Sequence, residues 1–120
     1  MFVHLEVRKR RSGERLFASL LRSVRVDGRP RHQYVAYLGS IDARWLSPPA
    51  ASERLSFNWT IYRGQFWENV AAALDRCEVG ADQRAKIEAR LERHVPRPVA
   101  AAFEAAIQDR DMFMRADGLR

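Results

Sequence analysis

Asp27-Gly28 constrains this chain more than any other pair of residues. It separates two runs in which apolar and polar residues alternate, one from about Glu14 to Val26 and one from about Arg31 to Leu38. Alternation with period two marks a half-buried strand. Aspartate followed by glycine accommodates the positive φ of a type I′ turn. The two runs are therefore expected to pair as an antiparallel hairpin. Pro30 lacks a backbone donor and places the later strand at an edge. A third run precedes them: Val3, Leu5 and Val7 alternate with His4, Glu6 and Arg8 until "RRSG" breaks the pattern.

The turns set the register. A two-residue turn at Asp27-Gly28 pairs Val26 with Arg29, Leu20 with Val35 and Ala18 with Tyr37. A four-residue turn at Arg10–Gly13 pairs Lys9 with Glu14, Val7 with Leu16, Leu5 with Ala18 and Val3 with Leu20, whereas a two-residue Ser12-Gly13 turn shifts the pairs but keeps the same faces. Both hairpins then gather one apolar set: Val3, Leu5, Val7, Leu16, Ala18, Leu20, Val35 and Tyr37. A one-residue slip in either hairpin would scatter it, so this is the expected core face. The opposite face holds Phe2, His4, Glu6, Arg8, Arg15, Phe17, Ser19, Leu21, Ser23, Arg25, His32, Tyr34 and Leu38. Arg22 falls on the core side, near the distal end and within reach of solvent.

The remainder has helical periodicity. "LSPPAAS" reads as a linker, with Ser52 as a helix N-cap. Leu55 and Trp59 recur at helical spacing, as do Tyr62, Phe66 and Val70, and Gly64 is a candidate break. Aromatics at this spacing belong to a core more often than to a stacking surface. Asp82 is expected to cap a second helix with a stripe of Ile87, Leu91 and Val95. The last helix carries Val99, Ala102, Phe103, Ala106 and Ile107 and should end near Gly118. The fold class is thus α+β, a three-stranded antiparallel sheet (1–42) followed by about three α-helices (53–118), in one domain over residues 1–120.

A chain of 120 residues buries enough surface to need no disulfide or metal. Cys77 is the one cysteine, which excludes an internal disulfide and a cysteine metal cluster and fits a reducing cytoplasm. The apolar runs are too short to cross a bilayer, and "MFVHLEVRKRR" has the wrong order of charge and apolar residues for a signal peptide.

Charge is the informative quantity. The net charge is +6, and it is unevenly placed. Residues 1–42 carry nine Arg or Lys against four Asp or Glu, and residues 43–120 carry twelve against eleven. A local positive field points to a polyanion, an acidic protein or an anionic surface. Arg8, Lys9, Arg10, Arg11 and Arg15 surround the first turn, and Arg25, Arg29, Arg31 and His32 surround the second. With Tyr34 they form the candidate nucleic-acid-binding set. Arginine donates twice to phosphate or to a guanine edge, and β structure fits the major groove. On the second helix, Arg84, Arg90, Arg93, His94 and Arg97 either extend this surface or pair with Glu88 and Glu92.

Two other readings compete. Phe2, Phe17, Leu21, Tyr34 and Leu38 form an apolar patch of the kind that docks a protein. His4, Glu6 and Ser19 place a hydroxyl near a possible base, although alternating strands produce such neighbours by chance. The three histidines lack ligand spacing and no glycine-rich phosphate loop is present, so no cofactor, metal site or catalytic residue is expected.

"RSVRVDGRPRHQYVAYLGSI" resembles the N-terminal segment of some insertion-sequence transposases, in which an Arg-x-x-Gly-[Lys/Arg] hairpin turn leads into a strand ending in Leu-Gly. The matching residues are Arg25, Gly28, Arg29, Arg31, Tyr37, Leu38 and Gly39, and "SGERLFASLLRS" upstream is also similar. The resemblance covers about the first third of the chain. It implies association with DNA and a mobile-element, plasmid or phage origin. Those enzymes also carry a long catalytic domain with three acidic metal ligands, for which this chain has no room, so transposition is not carried over. A non-enzymatic protein that binds DNA or RNA is the expected function. The alternative is a small phage or plasmid protein that binds and inhibits a host nuclease or defence complex. No membrane partner is expected.

Overall fold

Three antiparallel strands, β1 (Phe2–Arg10), β2 (Gly13–Val26) and β3 (Arg29–Asp42), form a sheet in the order β1-β2-β3. A 3₁₀ turn at Ala43–Trp45 follows, then helices α1 (Glu53–Arg76), α2 (Ala81–His94) and α3 (Ala100–Gly118). This computed structural model describes residues 1–46 and 53–118, so the Ser52 cap and the Pro48-Pro49 linker lie outside the described residues. The architecture is α+β, as the alternation and helical periods indicate.

The β1–β2 register is the expected one, from Lys9 opposite Glu14 to Val3 opposite Leu20. At the second turn Asp27 and Gly28 both have positive φ, 53° and 77°, as a type I′ turn requires, and Val26 pairs with Arg29. Further along, β3 departs from expectation. Irregularities opposite Leu20/Leu21 and Ala18/Ser19 leave Val35 and Leu38 as extra residues, so Leu20 pairs with Ala36, Ser19 with Tyr37 and Ala18 with Gly39. Each β-bulge reverses which residues face which side. Leu38, expected on the open face, is buried at 1% exposure, and Tyr37, expected in the core, is 46% exposed. A regular strand would drive the Tyr37 hydroxyl into an apolar layer, where it needs a partner. The bulged strand puts Leu38 there instead. The strand also runs on to Asp42, which brings Ile41 into the core.

The helices cover the face that carries Val3, Leu16, Ala18 and Leu20. These pack with Leu38 and Ile41 against Phe66, Trp67, Val70 and Leu74 of α1, with Ile87 and Leu91 of α2 and with Val95. Leu5 and Val35 lie at the margin of this cluster. Val7 belongs to the same face but is 54% exposed, because it lies beyond the helical layer. Gly64 does not interrupt α1, which is continuous. The ring of Phe103 in α3 occupies the place of a side chain there, and an added Cβ would sit 2.2 Å from it. The glycine marks a helix–helix seat. Asp82 lies in the first turn of α2, while Gly80 holds the cap position. Val99 precedes α3 and is exposed, whereas Ala106 is buried. No described helix is long and apolar enough to cross a membrane.

Candidate nucleic-acid interface

β1 begins at Phe2, opposite Leu21, so beyond that point β2 and β3 form a two-stranded ribbon, with Arg22 opposite Gln33 and Val26 opposite Arg29. The residues of this ribbon are exposed apart from a partly covered Val24. It lengthens the molecule, whose extents are 63 × 32 × 27 Å and whose radius of gyration is 17.1 Å, against about 14 Å for a compact chain of this length. Four arginines, Arg22, Arg25, Arg29 and Arg31, stand on it with one carboxylate, Asp27. Arg22, Arg29 and Arg31 share the face that continues the core side; Arg25, Ser23 and His32 share the other. Arg22 is held by Gln33, Nε to Oε1 at 2.6 Å. Arg25, Arg29 and Arg31 have no carboxylate at ion-pair distance among the described residues.

The basic residues of the first turn lie elsewhere. Arg15 and Arg25 are ten residues apart on β2, which at the rise of an extended strand is about 33 Å. The candidate set is thereby divided into two clusters at opposite ends of one strand. Near the first turn, Arg8 and Arg10 lie over the Phe17 ring, 4.8 and 5.1 Å from its centroid. Glu6, the acidic residue on this face, is paired with Arg8 at 3.1 Å, and that guanidinium lowers its pKa. Lys9 and Arg11 project into solvent. At the root of the ribbon, Phe2 meets His32 edge to face at 5.1 Å. Tyr34 follows at 60% exposure.

Arg15 is partly buried. Its Nε donates to Ser40 Oγ at 2.8 Å. It lines a hollow of about 330 Å³ with Ser40, Asp42, Arg44, Trp45, Tyr62, Gln65 and Asn69. A second hollow, about 380 Å³, shares Arg15, Ser40 and Asn69 and adds Tyr37, Gly39 and Arg76. Trp45 and Tyr62 stack at 5.1 Å beside the first. Partial burial works to raise the Asp42 pKa, but hydrogen bonds from the Arg44 backbone and side chain and the nearby charges outweigh it and hold the carboxyl below its usual value. Tyr37, Arg44, Asn69 and Arg76 were not legible as site residues. Their grouping depends on how α1 approaches the edge of β3. Gly39 within an alternating run was the available signal, since an isolated glycine in a strand often accompanies a bulge.

On α2 the two outcomes divide: Arg84 is paired, while Arg90 and Arg93 are exposed with no carboxylate at ion-pair distance among the described residues. Arg84 bonds to Asp75 and Glu88, and Arg97 meets Glu88 at 3.2 Å. His4 faces Ser19 across β1 and β2 as expected, with Glu6 engaged by Arg8. The described residues contain no group of three or more His, Cys, Asp or Glu able to hold a metal.

No curated protein and no solved structure matches the chain. Residues 5–55, which span most of the sheet and reach the start of α1, match the family model of the IS1634 family transposase N-terminal domain, so the first part of the chain is similar to the N-terminal segment of a mobile-element transposase.

Proposed function

We propose that this is a non-enzymatic nucleic-acid-binding protein of a mobile element, which grips duplex DNA with the β2–β3 ribbon. The observation that carries the reading is the ribbon itself: a projecting pair of strands with four arginines and one carboxylate. A two-stranded ribbon fits the major groove, about 12 Å wide. Guanidiniums on both of its faces can meet phosphates on the groove walls while Arg22, Gln33 or His32 approaches base edges. The cluster of Arg8, Lys9, Arg10 and Arg11 supplies a second phosphate contact at the other end of β2. The similarity to a transposase segment supports DNA as the polyanion.

Binding to random-sequence duplex at several salt concentrations tests this. The affinity is expected to fall steeply with salt. In Arg25→Ala with Arg29→Ala, the slope of log K against log salt is expected to become shallower by about 2, because two phosphate contacts are gone. Arg90→Ala with Arg93→Ala on α2 should leave the slope unchanged. No duplex binding at low salt, or an unaltered slope in the ribbon variant, contradicts the reading.

A further inference from the structure

We propose that the edge of β3 binds a short stretch of single-stranded DNA, with bases stacked on Tyr34 and Tyr37 and phosphates held by Arg15 and Arg76. The inference builds on the reading of the chain as a DNA-binding protein, but it concerns a different surface and a different form of DNA.

The bulges are the origin of this surface. In a regular strand Tyr34 and Tyr37 point to opposite faces. The extra residue Val35 brings them to the same face, opposite Leu21 and Ser19, and both rings are about half exposed. Much of each ring is open to solvent, and Tyr37 borders a hollow that Asn69 and Arg76 of α1 also line. Following β3 from the ribbon, the order is Tyr34, Tyr37, then the two joined hollows with Arg15, Ser40 and Asn69 at their boundary. Arg76 borders the hollow next to Tyr37, and the exposed Tyr62 borders the hollow beyond it.

The chemistry selects the occupant. Arg15 and Arg76 have no carboxylate at ion-pair distance among the described residues, and Asp42, the one carboxylate lining the hollows, is neutralised by Arg44 at 3.1 Å. The surface therefore favours an anion. Amide and hydroxyl groups of Asn69, Gln65 and Ser40 add neutral hydrogen-bonding partners between the charges. Two exposed rings on β3, followed by guanidiniums that β2 and α1 bring to its edge, suit a chain that offers both flat bases and phosphates. A duplex cannot use the rings in this way, since its base faces are already stacked on one another. Single-stranded DNA can, because its bases are free to splay onto aromatic side chains. Because Tyr34 stands at the root of the ribbon, a strand leaving a duplex held there passes directly onto the platform.

The test uses the full chain and three fluorescent probes in low salt: oligothymidylate of about eight nucleotides, an abasic oligomer with the same number of phosphates, and a blunt duplex. The expected result is that the abasic oligomer binds more weakly than oligothymidylate. Tyr37→Ala and Tyr34→Ala should each weaken oligothymidylate binding by at least about five-fold, the lower bound for one lost stacked base, and Tyr37→Ala should leave duplex binding unchanged. Tyr37→Phe, which keeps a ring, should retain it. Equal binding of the abasic and thymidylate oligomers, or tyrosine variants that bind oligothymidylate normally, overturns the inference. Ribbon-dependent duplex binding would still stand in that case. Conversely, tyrosine-dependent binding of oligothymidylate without duplex binding would retain this site and remove the ribbon reading.

Discussion

Arg63→Leu is expected to cost about 3–6 kcal/mol of folding stability, because it removes two close charge-assisted hydrogen bonds worth about 1.5–3 kcal/mol each. Arg63 is 1% exposed, the most deeply buried charged side chain described. Its guanidinium donates Nε to the Trp45 carbonyl at 2.6 Å, Nη2 to the Leu46 carbonyl at 2.7 Å and Nη1 toward the Pro96 carbonyl at 3.4 Å. It also lies 3.8 Å from the centre of the Trp59 ring. Burial pushes its pKa down to about 10, so it stays charged at neutral pH. One side chain on α1 therefore holds the end of the 3₁₀ turn and the connection between α2 and α3. Trp67 repeats the device with its indole N–H on the Val95 carbonyl at 2.8 Å. Leucine fills much of the same volume but leaves the carbonyls without these donors, and an unsatisfied buried acceptor retains its desolvation cost. Urea unfolding of the two proteins measures the difference. Arg63→Lys should lie between them, because one ammonium cannot span three carbonyls on separate segments. A loss below about 1 kcal/mol in Arg63→Leu, the size of an ordinary surface change, would mean that the clamp does not hold these segments.

The second large effect separates two adjacent residues. Leu38→Ala is expected to cost about 2–5 kcal/mol, as for other buried leucines. Tyr37→Ala should change stability by about 1 kcal/mol or less, since its ring is half in solvent. A strand without bulges predicts the reverse order, with Tyr37 in the core and Leu38 outside. The comparison therefore reads the register of β3 in solution. It also guards the binding experiment on Tyr37, because a variant that remains folded can be judged on affinity alone.

This pair of residues shows where local pattern stopped being informative. From Phe2 to Leu21 and across the Asp27-Gly28 turn, side-chain alternation and turn chemistry agree, and they determine the pairing without help from distant residues. Past Tyr34 the strand has to satisfy α1 as well as β2. Leu38 reaches the layer formed by Phe66, Trp67 and Val70 because the strand gains an extra residue at Val35, and a second extra residue returns Ile41 to the same face. Two changes of parity cancel, so the pattern looks regular at both ends of β3 and is wrong only between them. Gly64 is a similar case. It resembles a helix breaker in isolation, but its role is set by a ring from a helix about forty residues further on. The basic residues around both turns were legible because no element packs over them. What alternation could not give was their separation into two clusters, or the hollow that Arg15 shares with α1, since both depend on strand length and helix placement.

In the proposed complex the arginine-bearing ribbon, rather than the helical layer, meets duplex DNA. Titrating a short duplex into the isotopically labelled chain and following each backbone amide by NMR tests it most directly. The largest shifts are expected on residues 22–33, with smaller ones around Arg8–Arg11 and little change in α2 and α3. Shifts concentrated on Arg84, Arg90 and Arg93 of α2, with residues 22–33 unmoved, would contradict it.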